Sequence, residues 1–319
     1  AIIEDGQFNM RPDVYIRDFV GDTGDPYAGA ISASPDVILV PTTVADAQAA
    51  FGEGSGTENL NNLGHEATAG QDNYVYVRAK NRGGSDGPGT SAQVFWSPPS
   101  TLVTPDLWQP VGTQAMPNLP TGDTLVAAGP ITWAEADIPA PGHYCFVAIL
   151  SQSHDPGPDP IDFLDWDNFR AFIRNNNNVT WRNFNVDSNA PDEGSEFKSL
   201  RFLAPGFDDM ARRFCLEVIA KLPRGSKCLL EAPLPLLQAM QALSPGAIVE
   251  GGVGRIPVNP HRPHRIGCAL FPAKHAFPLR LLVHIPEPHR GHAYNVAVRQ
   301  LYEGEEVGRV TWRLAPEAD

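Results

Sequence analysis

Five aspartates lie close together in the segment DPGPDPIDFLDWDN, which covers residues 155–168. Carboxylate oxygens in a loop are the ligands that calcium prefers, so this segment is a candidate calcium site. The D-x-D-x-D-G order of an EF-hand loop is absent, however. The alternative is a solvated acidic loop in which Asp165 caps a short helix over residues 165–174. The candidate ligands are Asp155, Asp159, Asp162, Asp165 and Asp167.

Histidine supplies the second set of candidate ligands. Six of the nine histidines lie between residues 261 and 292, and His261 and His264 are close neighbours. Two such imidazoles can ligate zinc, which makes a metal-dependent hydrolase one hypothesis. The motif H-E-x-x-H is absent, and Arg262 and Arg265 would repel a cation. The competing interpretation is an exposed basic loop that gains charge on acidification, because histidine titrates at about pH 6.5.

Other catalytic motifs are incomplete. The segment GEGSG at residues 52–56 lacks the G-x-S-x-G spacing of a nucleophile elbow. The segment GGVG at residues 251–254 lacks the full glycine pattern of a dinucleotide site. We find no nucleophile and base pair in the sequence, and no carboxylate dyad. The sequence therefore predicts a protein that is not an enzyme and that uses no cofactor, with calcium as the alternative to be tested.

The elements that position these side chains are expected to be short. The chain has 31 Pro and 29 Gly among 319 residues, and 42% of its residues are hydrophobic. Frequent chain breakers with a dispersed apolar pattern predict short elements around a packed core. No apolar run reaches the roughly 18 residues that a membrane helix needs, so no membrane span is expected.

The charge is unevenly distributed. The net charge is −13, but residues 1–196 carry 26 acidic and 8 basic side chains, whereas residues 197–319 carry 11 and 16. The first part is therefore strongly acidic and the second mildly basic. The overall sign argues against nucleic acid as a partner. One interpretation is two domains with different surfaces, and the other is that the acidic part of one copy contacts the basic part of the next.

The four cysteines do not form a disulfide pattern. Cys145, Cys215, Cys228 and Cys268 are too few for a disulfide-dense scaffold, and no two form a C-x-x-C pair. A disulfide is compatible with the sequence but is not implied. Cys145 and Cys215 lie in apolar, strand-like runs, where a free cysteine more often acts as a small hydrophobic residue, and the disulfide state of all four stays open.

An internal repeat organises the chain. Residues 138–148 (IPAPGHYCFVA) resemble residues 285–297 (IPEPHRGHAYNVA), and VTWR occurs at both 179–182 and 310–313. Each copy is predicted to have an I-P-x-P turn, an alternating strand and a closing strand that buries Trp181 or Trp312. The spacing is longer in the first copy, which predicts an insertion within residues 151–178.

Short segments rich in Val, Ile, Tyr and Phe are predicted to be strands, and Gly, Pro, Asn and Asp separate them. The clearest cover residues 13–20, 35–41, 73–81, 91–98, 214–222 and 278–285. Helices are predicted only at residues 44–51, 165–174 and 234–243. The predicted fold class is all-β, with two immunoglobulin-like β-sandwich domains, a few short helices and long Pro/Gly-rich loops.

The segment NYVYVRAKNRG at residues 73–83, followed by SAQVFWSP, resembles the immunoglobulin-like modules of bacterial surface and secreted proteins. The similar groups are the cell-adhesion-related and fibronectin type III-like modules. The C-terminal segment GHAYNVAVRQLYEGEEVGRVTWRL looks like the last hairpin of such a module. Residues 192–275 match less well. The resemblance implies a binding, spacing or building role, and it brings no catalytic residues.

These observations predict three segments: an extended N-terminal arm at residues 1–11, an acidic β-sandwich domain at 12–190 and a mildly basic one at 195–319. The predicted function is a non-catalytic structural or adhesive subunit of an extracellular or cell-surface assembly. Its partners would be other copies of itself or other proteins. It would polymerise head to tail into a filament through its charge-complementary domains and its N-terminal arm. The alternative is an accessory module of a secreted bacterial protein that binds carbohydrate or protein. The metal-dependent hydrolase is the third hypothesis.

Overall fold

The computed structural model of the chain describes residues 11–27, 29, 32–64, 66–68, 70–139 and 143–316. The chain forms two compact units. The first unit runs to residue 97 and resumes over residues 108–182, whereas the second contains residues 98–107 and the chain from residue 183. The predicted domains, 12–190 and 195–319, are continuous segments, and those boundaries stay a prediction. The predicted N-terminal arm lies outside the described residues except for Arg11.

Strands dominate the first unit. Its helices are α1 (Ala47–Phe51) and α2 (Trp166–Asn175), and short 3-10 helices cover Glu135–Asp137 and Pro160–Leu164. One sheet places β3 between β6 and the pair β1 and β2, and the other has the order β5-β4-β7-β8. The strands are β1 (Val14–Tyr15), β2 (Val37–Val40), β3 (Asn73–Asn81), β4 (Ser91–Ser97), β5 (Gln109–Ala115), β6 (Val126–Trp133), β7 (Cys145–Ser151) and β8 (Val179–Arg182).

The second unit has two five-stranded sheets, with the orders β10-β16-β12-β14-β13 and β15-β11-β17-β18-β9. Its α-helix is α3 (Leu234–Ala239), and 3-10 helices cover Pro105–Leu107 and Glu287–His289. Within the described residues, no helix of either unit is long and apolar enough to cross a membrane. The strands are β9 (Phe184–Ser188), β10 (Lys198–Pro205), β11 (Arg212–Ala220), β12 (Lys227–Pro233), β13 (Ile248–Glu250), β14 (Val253–Val258), β15 (His264–Phe271), β16 (Ala276–His284), β17 (Tyr294–Tyr302) and β18 (Glu305–Ala315).

The sequence repeat corresponds to the same strand pair in both units. In the antiparallel pair β7 and β8, Val147 lies opposite Trp181, and in the pair β17 and β18, Val296 lies opposite Trp312. The register of the repeated residues is therefore the same in the two units. Both tryptophans are buried, as predicted. The connections differ: residues 160–175 between β7 and β8 form helices, whereas a tight turn at Glu303 and Gly304 joins β17 to β18.

The two units also share a topology. The pairs β3–β6, β4–β7 and β7–β8 of the first unit correspond to β10–β16, β11–β17 and β17–β18 of the second. The second unit adds β12, β13 and β14, together with α3, between β11 and β15. Two packed sheets with this order, antiparallel except for the parallel pair β18 and β9, are immunoglobulin-like. The predicted fold class, all-β with two immunoglobulin-like sandwiches and few short helices, is confirmed.

Each core lies between the two sheets of its unit. In the first, Val75 and Val77 of β3 pack in one buried cluster with Val94 of β4 and Leu150 of β7. In the second, the rings of Phe202 on β10 and Trp312 on β18 lie 5.7 Å apart, which joins its two sheets. Alternating strand residues provide these contacts, because successive side chains of a strand point to opposite faces.

One disulfide decides what the sequence left open for Cys215 and Cys268. Cys215 on β11 lies directly opposite Cys268 on β15, and the two are bonded. Cys215 therefore does not act as a free hydrophobic residue, because sheet pairing brings it next to a partner that lies 53 residues away in sequence. Cys145 and Cys228 are buried thiols outside this disulfide.

The first unit also contains a network of buried charged side chains. The carboxylate of Asp36 is fully buried and accepts hydrogen bonds from Arg17 Nη2 at 2.6 Å and Arg78 Nε at 2.9 Å. Arg182 is buried nearby and donates to the carbonyl oxygens of Ser34 and Leu63. Burial, and then repulsion from Arg78, lowers the pKa of Arg182 to about 10. Removing one partner of such a buried ion pair is strongly destabilising, because it leaves the other charge uncompensated.

Candidate functional site

The outer face of one sheet in the second unit carries a row of charged side chains. The register places Arg201 of β10 opposite Arg280 of β16, then Arg280 opposite Glu231 of β12, and Glu231 opposite Arg255 of β14. Directly opposed residues share a face of the sheet. Leu230, the neighbour of Glu231 in sequence, is fully buried in the core. The charged row therefore faces away from the core.

Glu231 holds two of these arginines. Its side chain is 7% exposed, and it accepts hydrogen bonds from Arg255 Nε at 2.7 Å and Arg280 Nε at 2.5 Å. Burial raises the pKa of Glu231, but the hydrogen bonds from Arg255 and Arg280 outweigh it and leave the pKa below its ordinary value. Glu231 therefore stays ionised and fixes both guanidinium groups. One carboxylate against two guanidinium groups leaves one positive charge in excess.

Arg201 adds a further positive charge. It is exposed, and it forms no ion pair or side-chain hydrogen bond within the part of the chain that the structure describes. Its opposite neighbour on β16 is Arg280. Like charges directly opposite each other in a sheet are unfavourable unless a counter-charge lies between them. An anionic group bound beside Arg201 and Arg280 would relieve that repulsion.

The charged row borders an apolar groove of about 580 Å³. Grooves of this size hold small ligands or several side chains of a partner. Backbone hydrogen bonds of 2.8 Å, from Leu203 to the carbonyl of Pro99 and from Thr101 to the carbonyl of Leu203, hold one wall against β10. Prolines form much of the groove surface, and their side chains lose little conformational entropy when a ligand binds. The apolar lining includes Pro98, Pro99, Leu203, Pro233, Val253 and Pro278.

An apolar edge strand lies at one end of the row. A second depression of about 200 Å³ lies beside Arg255 and reaches Ile248 and Glu250 of β13. Ile248 and Val249 are 54% and 51% exposed, which is unusual for large aliphatic side chains. β13 is one of the two edge strands of its sheet. Such an edge offers unpaired backbone groups to an extended partner, and Glu250 adds one negative charge at this end.

The aspartates of the predicted calcium segment have structural roles in the first unit. Asp159 and Asp162 form a reciprocal capping box at the 3-10 helix Pro160–Leu164. Asp165 accepts a hydrogen bond from the backbone nitrogen of Asn168 at 3.0 Å and caps α2. Asp167 lies exposed in the first turn of α2. These positions agree with the capped acidic loop, and calcium binding stays a prediction.

Asp155 lies apart from the capping residues. It accepts a 2.7 Å hydrogen bond from the backbone nitrogen of Val14, the first residue of β1. Burial raises the pKa of Asp155, and the hydrogen bond from Val14 only partly opposes this. Asp155 therefore fastens β1 within the first unit.

The two candidate histidine ligands already bond to the backbone. His264 Nδ1 accepts a hydrogen bond from the backbone nitrogen of Asn259 at 3.0 Å. His261 Nδ1 lies 2.9 Å from the carbonyl oxygen of Leu222. Because Nδ1 of His264 accepts this hydrogen bond, the neutral ring carries its proton on Nε2, whereas His261 can donate from Nδ1 and keep Nε2 for a metal. His261 lies between β14 and β15, which agrees with the interpretation as a loop, but His264 is the first residue of β15. The metal site stays a prediction.

The sequence did not reveal the charged row. Arg201, Glu231, Arg255 and Arg280 lie in four separate segments, and only strand pairing brings them together. One signal was available: in the predicted strand at residues 278–285, Arg280 alternates with apolar residues and so lies on the outward face. The partners of that face cannot be found without the register.

Comparisons with known proteins identify no family. No protein-family model matches the chain, and no curated protein matches its sequence. Among solved structures, it is similar to the collagen adhesin (CNA) from S. aureus, with 10% identity, 88% of this chain and 92% of that chain covered, and a TM-score of 0.26. Red sea bream transglutaminase has 12% identity, 84% and 34% coverage, and a TM-score of 0.21. Scores this low support no conclusion about fold or function.

Proposed function

We propose that the protein is a non-catalytic binding module whose groove on the second unit holds a protein segment with both carboxylate and apolar side chains. The main support for this proposal is the charged row. Arg201 and Arg280 lie opposite each other, and the row has three arginines but only one carboxylate, that of Glu231. The apolar groove lies beside them. A carboxylate bound by arginine has charge-assisted hydrogen bonds, and apolar contacts supply most of the remaining binding energy.

Carbohydrate is the less favoured ligand. Sugar rings usually stack on exposed aromatic side chains, and the aromatic residue of the groove, Phe202, is only 3% exposed. None of the six tryptophans of the chain is exposed. The hydrolase hypothesis is also less favoured, because His264 Nδ1 accepts a backbone hydrogen bond, which leaves the proton of the neutral ring on Nε2 and no lone pair for a metal.

An extracellular or cell-surface location belongs to this proposal. Persistent disulfides are typical of oxidising compartments, and the bond between Cys215 and Cys268 supports such a location. A role in adhesion or assembly is part of the same proposal, because a groove that holds segments of other proteins can join them to this one.

Binding of a labelled synthetic peptide tests the function. The probe alternates Asp and Leu, and its control alternates Lys and Leu. Fluorescence anisotropy should show binding of the acidic probe that weakens as salt is added. Arg201→Glu should weaken it by about tenfold or more, which is about 1.4 kcal/mol. The matched control is Arg213→Glu on the other sheet, where the side chain is also exposed. Equal binding of both peptides, or no effect of Arg201→Glu, would overturn the proposal.

A further inference from the structure

A segment of the first unit has the chemistry that the groove requires. Residues 159–165, here called the acidic turn, contain the 3-10 helix Pro160–Leu164. Ile161 is 66% exposed and Leu164 is 44% exposed, so two large aliphatic side chains project into solvent. Asp159, Asp162 and Asp165 are also exposed, and because side chains three residues apart eclipse in a 3-10 helix, they follow a face beside that of Ile161 and Leu164. An exposed apolar pair beside a row of carboxylates is the complement of an apolar groove bordered by arginines.

The acidic turn is rigid enough to act as a ligand. Phe163, between the two exposed aliphatic residues, is 2% exposed, and its ring lies 4.0 Å from that of Phe172 on α2. The capping hydrogen bonds hold the turn at both ends. A segment ordered before binding loses little conformational entropy when it binds. Each capping carboxylate also keeps acceptor sites for a guanidinium group, because an ionised carboxylate has about four lone-pair sites.

We propose that the acidic turn of one copy binds in the groove on the second unit of another copy. This inference rests on the proposed function and names the partner, a second copy of this chain. The surfaces differ, so the contact is head to tail, and a bound pair still has one free turn and one free groove. Repetition gives an open chain of copies or a closed ring. The acidic first part and the basic second part of the sequence agree in sign with such a contact.

Two variants that each destroy one surface test the contact. Ile161→Lys alters the acidic turn at a residue that is 66% exposed, so the fold should be retained. Arg201→Glu alters the groove. In sedimentation velocity from about 10 μM to about 1 mM, the wild-type protein should associate and each variant alone should remain monomeric. An equimolar mixture should form a dimer and nothing larger, because only one intact turn and one intact groove can meet.

The controls and the contrary outcomes separate the two proposals. Asp137→Lys and Arg213→Glu change exposed charges elsewhere in each unit and should associate like wild type. If Ile161→Lys associates normally, or the mixture stays monomeric, the second-copy inference is overturned. If the acidic probe peptide still binds and Arg201→Glu still weakens it, the proposed function survives that result. If the peptide also fails to bind, both proposals fall.

Discussion

Removing the buried carboxylate of the first unit should strongly destabilise that unit. Asp36→Asn is nearly isosteric, but it removes the carboxylate charge that both Arg17 and Arg78 contact. The two guanidinium groups are 3% and 0% exposed and would lose a charged acceptor without gaining water. Breaking a buried ion pair costs about 3–5 kcal/mol, and because Asn keeps one acceptor oxygen we expect about 3 kcal/mol. For a unit of this size the melting temperature should fall by about 10 °C.

Urea unfolding and differential scanning calorimetry measure this loss. The transition of the first unit should move, and that of the second should stay where it is. The matched control is Asp137→Asn in the same unit, whose side chain is exposed and which should change stability by less than about 0.5 kcal/mol. A loss of less than about 1 kcal/mol for Asp36→Asn would refute the reasoning, since it would mean that water or other groups already compensate the two arginines.

Three further predictions concern other groups. Replacing both Cys215 and Cys268 removes a disulfide that spans 53 residues, and urea unfolding should show a loss of up to about 4 kcal/mol for the second unit. Adding a reductant to that double variant should have no further effect. Burial, and then the charge of Asp106, raises the pKa of Asp208 to about 6. Protonated Asp208 therefore contributes its whole share of the unfolding free energy below the ordinary pKa of an aspartate, and this share is lost as pH rises through about 6. Because Asp208 is partly exposed, Asp208→Asn should stabilise the unit by only about 1 kcal/mol at about pH 7.5 and by almost nothing below about pH 4, and an equal effect at both pH values would contradict this. Asp165→Ala should lower the free energy of unfolding by about 1 kcal/mol, because α2 loses its N-cap. Thermal melts should show the same loss with added calcium and with a chelator. If calcium stabilises the wild-type protein but not the variant, the metal interpretation is restored.

Local features of the fold were predictable from the sequence. Runs rich in Val, Tyr and Phe between turn residues identified β3 and β4 almost to the residue, and the Asp165 cap identified the start of α2. The repeated VTWR segments predicted two equivalent closing strands with buried tryptophans, and strand register bears this out. Such features depend on neighbouring residues, because side-chain direction and capping are set within a few positions of the chain.

The contents of the candidate site were decided by tertiary structure. Arg201, Glu231, Arg255 and Arg280 become one row only because β10, β16, β12 and β14 pair in one register. A shift of one residue would turn every side chain of a strand to the other face.

Long-range pairing also decided the disulfide and the buried network. Sheet order places Cys215 beside Cys268, and the fold of the first unit buries Asp36 between two arginines from different segments. The sequence by itself determined a chain of short strands that repeats a sandwich and divides its charge unequally. Only tertiary structure decided which charges are buried, which are paired and which face a groove, because those outcomes depend on residues that are distant in sequence and adjacent in space.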